Sequence, residues 1–142
     1  MLSMFALPKP FKGHIGVIQR NAIASWARLP SKPEIILFGD EEGTAQAARD
    51  LGVHHEPNIP RHEFDTPLMS GVFERGYAMT DSPMICYINS DIILLGDFLG
   101  AVRQVRAKLH EVAFPQRHSL SLEVHPCGKR EQQDPPFRTR WP

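Results

Sequence analysis

The sequence predicts an α/β fold built on a doubly wound, mostly parallel sheet. Three observations carry that expectation. Short β-rich runs alternate with stretches whose apolar residues recur every three or four positions, which is the pattern of βαβ units. Two of the runs, EIILF at 34–38 and MICYI at 84–88, are apolar throughout, as strands covered on both faces are. Pro30 and Gly52 fall where helices between such runs must stop.

The elements follow in order. The run SMFAL at 3–7 reads as the first strand. Ile15, Ile18, Ala22, Trp26 and Leu29 then share one face of a helix that Pro30 ends. EIILF is the second strand. Thr44 suits the N-cap of a second helix running through Ala45 and Ala48 to Leu51, with Gly52 as its left-handed stop. VHH at 53–55 is a weak third strand, and a third helix over 68–79 turns Val72 and Phe73 inward. MICYI is the fourth strand. Asp97 suits the N-cap of a fourth helix, in which Phe98, Val102, Val105 and Leu109 lie three or four residues apart. One more short strand fits at 119–124.

Length and composition bound the function. A chain of 142 residues has room for one domain. The 16 basic and 16 acidic residues cancel, so no electrostatic footprint for nucleic acid is expected. No apolar run approaches the roughly 18–20 residues of a membrane span, and MLSMFALPKPFKG is not expected to act as a secretory leader. Two cysteines build no disulfide framework; Cys86, inside MICYI, reads as a buried thiol, which points to a reducing, cytoplasmic setting. Proline is the outlier, with 13 residues. Eight lie in 1–114 and five in the last 28, and charge divides at the same place: 11 basic against 13 acidic residues before it, 5 against 3 after it. Residues 1–114 therefore read as the folded part. The Pro-rich segment 115–142 has too little apolar surface to offset the entropy of ordering it.

In open α/β sheets, ligands bind beyond the carboxyl ends of the strands. Here those places hold Pro8 to Gly13, Gly39 to Glu42, the loop 56–67, and Asn89-Ser90-Asp91. Asp91 directly follows an apolar strand, so its carboxylate is expected at a cleft edge, partly desolvated and suited to a divalent cation or a ligand hydroxyl. The same three residues also suit a plain turn, and position alone does not separate the two readings. PKPFKG replaces the GxGxxG or GxxxxGK[ST] of dinucleotide and P-loop sites, although Lys9 and Lys12 would supply positive charge to a diphosphate there. No HExxH, paired CxxC or GxSxG is present, and the histidines at 54, 55, 62, 118 and 125 read as solvated loop residues.

FALPKPFKGHIGVIQRNAIASWARLP (5–30), EIILFGDEEG (34–43), EFDTPLMSGVFE (63–74) and YINSDIILLGDF (87–98), taken in order, resemble the N-terminal half of a glycosyltransferase-like, nucleotide-diphospho-sugar transferase family of the GT-A fold. The resemblance implies a nucleotide-diphosphate sugar as ligand, UDP-linked in one form, held through Mn²⁺ or Mg²⁺ at a DxD-like motif. The matching residues are Asn89, Ser90 and Asp91, with Asp91 as metal ligand and Asn89 in place of the first acid. It further implies that Pro8, Lys9 and Asp40 border the nucleoside base. In this family the acceptor-binding part and any general base follow the motif, where only about 50 residues remain here; Glu123 and Asp134 are the candidates for the base in the last segment, with no spacing to support either. Three functions are expected in descending order: glycosyl transfer to an acceptor; a catalytically inactive, truncated nucleotide-binding module, prone to self-association through an exposed sheet edge; and nucleotidyl transfer, which normally needs a glycine-rich first loop.

Overall fold

A computed structural model describes residues 2–111 and 118–121. The chain alternates β1 (Leu2–Ala6), α1 (Gly13–Ala27), β2 (Glu34–Phe38), α2 (Thr44–Leu51), β3 (His54–Glu56), α3 (Met69–Met79), β4 (Met84–Tyr87), α4 (Phe98–Glu111) and β5 (His118–Ser121). Four parallel strands stand in the order β3-β2-β1-β4, and β5 adds in parallel beside β4. The α/β class and parallel sheet are thus as expected. The chain reverses its direction of travel across the sheet between β1 and β4, which makes that junction the topological switch point.

Strand geometry divides the core. Successive side chains of β1 point to opposite faces, so Leu2, Met4 and Ala6 join Ala22, Ile23 and Trp26 of α1, Ala48 of α2, and Phe98 and Val102 of α4. Phe5 faces the other way and packs with Ile36, Phe38, Ile85 and Val72, against which Phe73 and Tyr77 of α3 also lie. The inward Val72 and Phe73 are as expected. Gly76 lets α3 close on Phe5, since a Cβ there would lie 2.0 Å from the Phe5 ring.

Two local expectations are corrected. Thr44 is the first residue of α2 and not its N-cap; Gly43 takes that place with φ +84°, a conformation that costs glycine nothing. A Cβ on Gly43 would come within 2.8 Å of Phe11, so the loop after β1 presses directly on the start of α2. On α1, the buried stripe is Gly16, Gln19, Ala22, Ile23 and Trp26, whereas Ile15 and Ile18 are 39% and 45% exposed. Both line the cleft described below instead of entering the core. Strand β5 covers 118–121; residues 122–124 of the expected strand, the side chain of Leu109 and the remainder of the Pro-rich segment lie outside the described residues.

Cys86 is buried in β4, and desolvation pushes its thiol up to about 11, which suits a packing role. Cys127 lies outside the described residues. Among the described residues, no helix is long and apolar enough to cross a membrane.

Candidate functional site

A cleft of about 260 Å³ opens at the switch point, beyond the carboxyl ends of β1 and β4. Leu7 and Lys9 from the loop after β1, Ile15, Ile18 and Gln19 from α1, and Asn89, Ser90 and Asp91 after β4 line it. Four of the six residues expected at the site, Lys9, Asn89, Ser90 and Asp91, are therefore brought together. Pro8 is buried in the loop beside them without lining the cleft.

The loop after β1 is shaped without a glycine motif of its own. Phe11 N–H donates to the Glu42 carbonyl at 2.8 Å, and Lys12 carbonyl accepts from Gly16 N–H at 3.0 Å. A Cβ on Gly16 would meet the Phe11 carbonyl carbon at 2.7 Å, so only glycine lets the loop lie this close to α1. Lys12 pairs with Glu42 at 2.6 Å, but both side chains are well exposed and the pair holds the loop weakly.

The segment after β4 is held by α1. Trp26 Nε1–H donates to the Ile92 carbonyl at 2.7 Å, and Leu94 N–H donates to Ser25 Oγ at 3.0 Å. Ser90 Oγ donates to Gln19 Oε1 at 2.7 Å, while Gln19 also pairs with both the N–H and the carbonyl of Lys9, each at 2.8 Å. One helix thus sets both walls of the cleft. Among the described residues, neither the Lys9 ammonium nor the Asp91 carboxylate has a hydrogen-bond or ion-pair partner. Asp91 is the one acid lining the cleft among those residues, and it is exposed there, not partly desolvated as the sequence led us to expect.

Asp40 is placed differently. It follows β2 as expected, at the same edge of the sheet, but its carboxylate pairs with Arg61. That guanidinium also reaches Glu41 at 3.4 Å and Asp65 at 3.5 Å, fastening the loop 61–67 over the end of β2. The Arg61 hydrogen bond holds the Asp40 carboxyl below the usual carboxylate range. Next to it, Glu56 closes β3; burial would raise its pKa, but the Asn58 N–H and Arg75 guanidinium outweigh that and lower it.

A larger hollow of about 580 Å³ lies at the opposite edge, by Glu34, His54, Thr80 and Asp81. Its polar floor is occupied internally: Ser3 Oγ meets Glu34, Thr80 and Ser82 at 2.6–2.7 Å. It is at the amino ends of the strands, away from the switch point. Among the described residues no group of three or more His, Cys, Asp or Glu side chains converges as a metal cage. A divalent ion that arrives with a diphosphate asks less of a protein, one carboxylate and the phosphate oxygens; in this cleft Asp91 is the residue that could supply the carboxylate.

Gln19 is the polar lining residue that sequence reasoning missed, beside the apolar Leu7, Ile15 and Ile18. A glutamine on a helix reads as solvent-facing, yet its spacing from Gly16, Ile23 and Trp26, three, four and seven residues, places it in the buried stripe. Comparison of the chain with protein-family models, with curated proteins and with solved structures finds no match in any of the three.

Proposed function

We propose that this chain is a glycosyltransferase-like domain of GT-A type that binds a nucleotide-diphosphate sugar in the β1/β4 cleft, toward glycosyl transfer to an acceptor. The observation that carries the reading is a cleft at the switch point lined by both Asp91 and Lys9, each exposed and without a partner among the described residues. Such a cleft offers a diphosphate two complementary handles. Lys9 meets phosphate charge directly, and Asp91 holds the Mn²⁺ or Mg²⁺ that a diphosphate brings with it. That cation would neutralise the diphosphate as a leaving group. Asn89, in place of a first acid, hydrogen-bonds without adding charge. Asp40 borders a nucleoside base only through its ion pair with Arg61, so base recognition at that position involves both side chains.

The test is thermal. UDP with Mn²⁺ should raise the melting temperature by several degrees, and Asp91→Ala should abolish the rise. No shift in the unaltered chain would refute nucleotide binding.

A second reading, a binding module without turnover, is favoured by one feature. Asp91 is the only acid lining the cleft among the described residues, and a carboxylate engaged with a cation does not serve as general base. Glu123 and Asp134 lie outside the described residues. In this reading the chain binds UDP-sugars but neither hydrolyses nor transfers them, and the β5 edge of the sheet pairs with a second copy. Turnover of a sugar nucleotide above the uncatalysed rate would defeat it.

A further inference from the structure

Gln19 sits in the buried stripe of α1, 2% exposed, and each of its hydrogen bonds goes to a wall of the cleft. Their directions are determined by what each partner can do. The Lys9 N–H only donates, so the atom 2.8 Å from it is the carboxamide oxygen, and Nε2 faces the Lys9 carbonyl. Ser90 Oγ lies 2.7 Å from that same oxygen. An amide oxygen only accepts; the Ser90 hydroxyl therefore directs its single proton at Gln19 and keeps only lone pairs for anything else. Ser90 and Asp91 thus contribute acceptors to the β4 side of the cleft, beside the Asn89 carboxamide, which both donates and accepts, while the loop after β1 contributes the Lys9 ammonium.

We infer that Gln19 is a positioning residue that fixes Ser90 Oγ as an acceptor and holds the Lys9 main chain opposite it, so that the cleft selects ligands with a hydroxyl donor at the β4 wall. The inference rests on the sugar-nucleotide reading, which supplies two sources of such a hydroxyl, the ribose and the sugar. Phosphate oxygens are acceptors and find no donor in the Ser90 hydroxyl; they would be met by the Lys9 ammonium and by the cation at Asp91. The orientation of the ligand in the cleft follows from this polarity.

Binding of UDP, 2′-deoxy-UDP and 3′-deoxy-UDP, each with Mn²⁺, is measured by calorimetry, with UDP-glucose and its 2-deoxyglucose analogue as the sugar arm. The unaltered protein should discriminate against at least one deoxy ligand by about tenfold. The arm in which this occurs identifies the hydroxyl. Ser90→Ala should reduce the ratio to near one while leaving affinity for that deoxy ligand almost unchanged. Gln19→Leu should also lower the ratio, because a Ser90 hydroxyl free to turn no longer favours a donor over an acceptor, and should weaken every ligand because the Lys9 main chain is released. Gln19→Glu, measured at a pH low enough to keep its carboxyl protonated, reproduces the donor and acceptor arrangement and should restore the discrimination. A purely packing role for Gln19 would change affinity for all ligands alike.

Hydrogen exchange at the Lys9 amide separates the two ways of being wrong. In the ligand-free chain it should be slow, remain slow in Ser90→Ala and quicken in Gln19→Leu. Should Gln19→Leu fail to fold, Ser90→Ala carries the test, since it leaves the Gln19–Lys9 pair in place. Binding of UDP with no discrimination in either arm, or with discrimination unchanged in Ser90→Ala, overturns the inference and leaves the site reading standing. No binding of any ligand, with the Lys9 amide protected as described, overturns the sugar-nucleotide reading and the selection that depends on it.

Discussion

Glu56 illustrates how single residues hold the carboxyl edge of the sheet in shape. It ends β3 almost fully buried, accepting from Asn58 N–H at 2.9 Å and from Arg75 Nε at 3.0 Å. Its pKa in the folded chain lies below the ordinary 4.5, so the contribution to stability is complete above that value and disappears as pH falls through the lowered one. Glu56→Gln should therefore be less stable at neutral pH and lose less stability between pH 5 and 3 than the unaltered chain. Urea denaturation across that range reads it, and parallel acid limbs would contradict the assignment. The positions of Asp40 and Asp91 at the carboxyl edge of the sheet were legible in the sequence because each comes soon after an apolar strand. Their partners were not. Arg61 lies 21 residues beyond Asp40 in a loop whose path no periodicity describes. Gln19 was concealed differently, since its polar character outweighed its spacing.

Among the elements, α1 does most to build the cleft. Its stripe packs Trp26, fully buried, against the sheet, and Gln19, Ser25 and Trp26 each hold a residue of the segment that follows β4. Trp26→Phe keeps a large apolar ring but removes the donor to the Ile92 carbonyl. It should cost about 1–3 kcal/mol, combining an orphaned carbonyl with lost packing. Hydrogen exchange at residues 89–95 should quicken more than at β2. Uniform quickening would mean that Trp26 supports the core alone. The pattern of α1 was legible through Ala22, Trp26 and Pro30. Ile15 and Ile18 carried the same periodicity, but spacing states only which side chains share a face and not what that face meets. For α2, Thr44 looked like a cap because threonine favours that position. Gly43 displaced it, since the close approach of Phe11 excludes any side chain there.

At the scale of the molecule, the strand order places a cleft where the chain reverses across the sheet, between β1 and β4. The parallel sheet was readable from apolar runs covered on both faces, and the position after each run then located Lys9 and Asp91. Strand order itself was not readable, because periodicity says nothing about which strands are neighbours. The central claim is that a diphosphate and its cation occupy this cleft at Asp91. Paramagnetic broadening of backbone amide signals by Mn²⁺ with UDP, against Mg²⁺ with UDP as the diamagnetic reference, tests it most directly. The amides of Asn89, Ser90 and Asp91 should broaden most, those of Lys9 and Ile15 less, and those at the α3 carboxyl end not at all. Broadening centred on Asp40 and Arg61, or none that depends on UDP, would contradict the account.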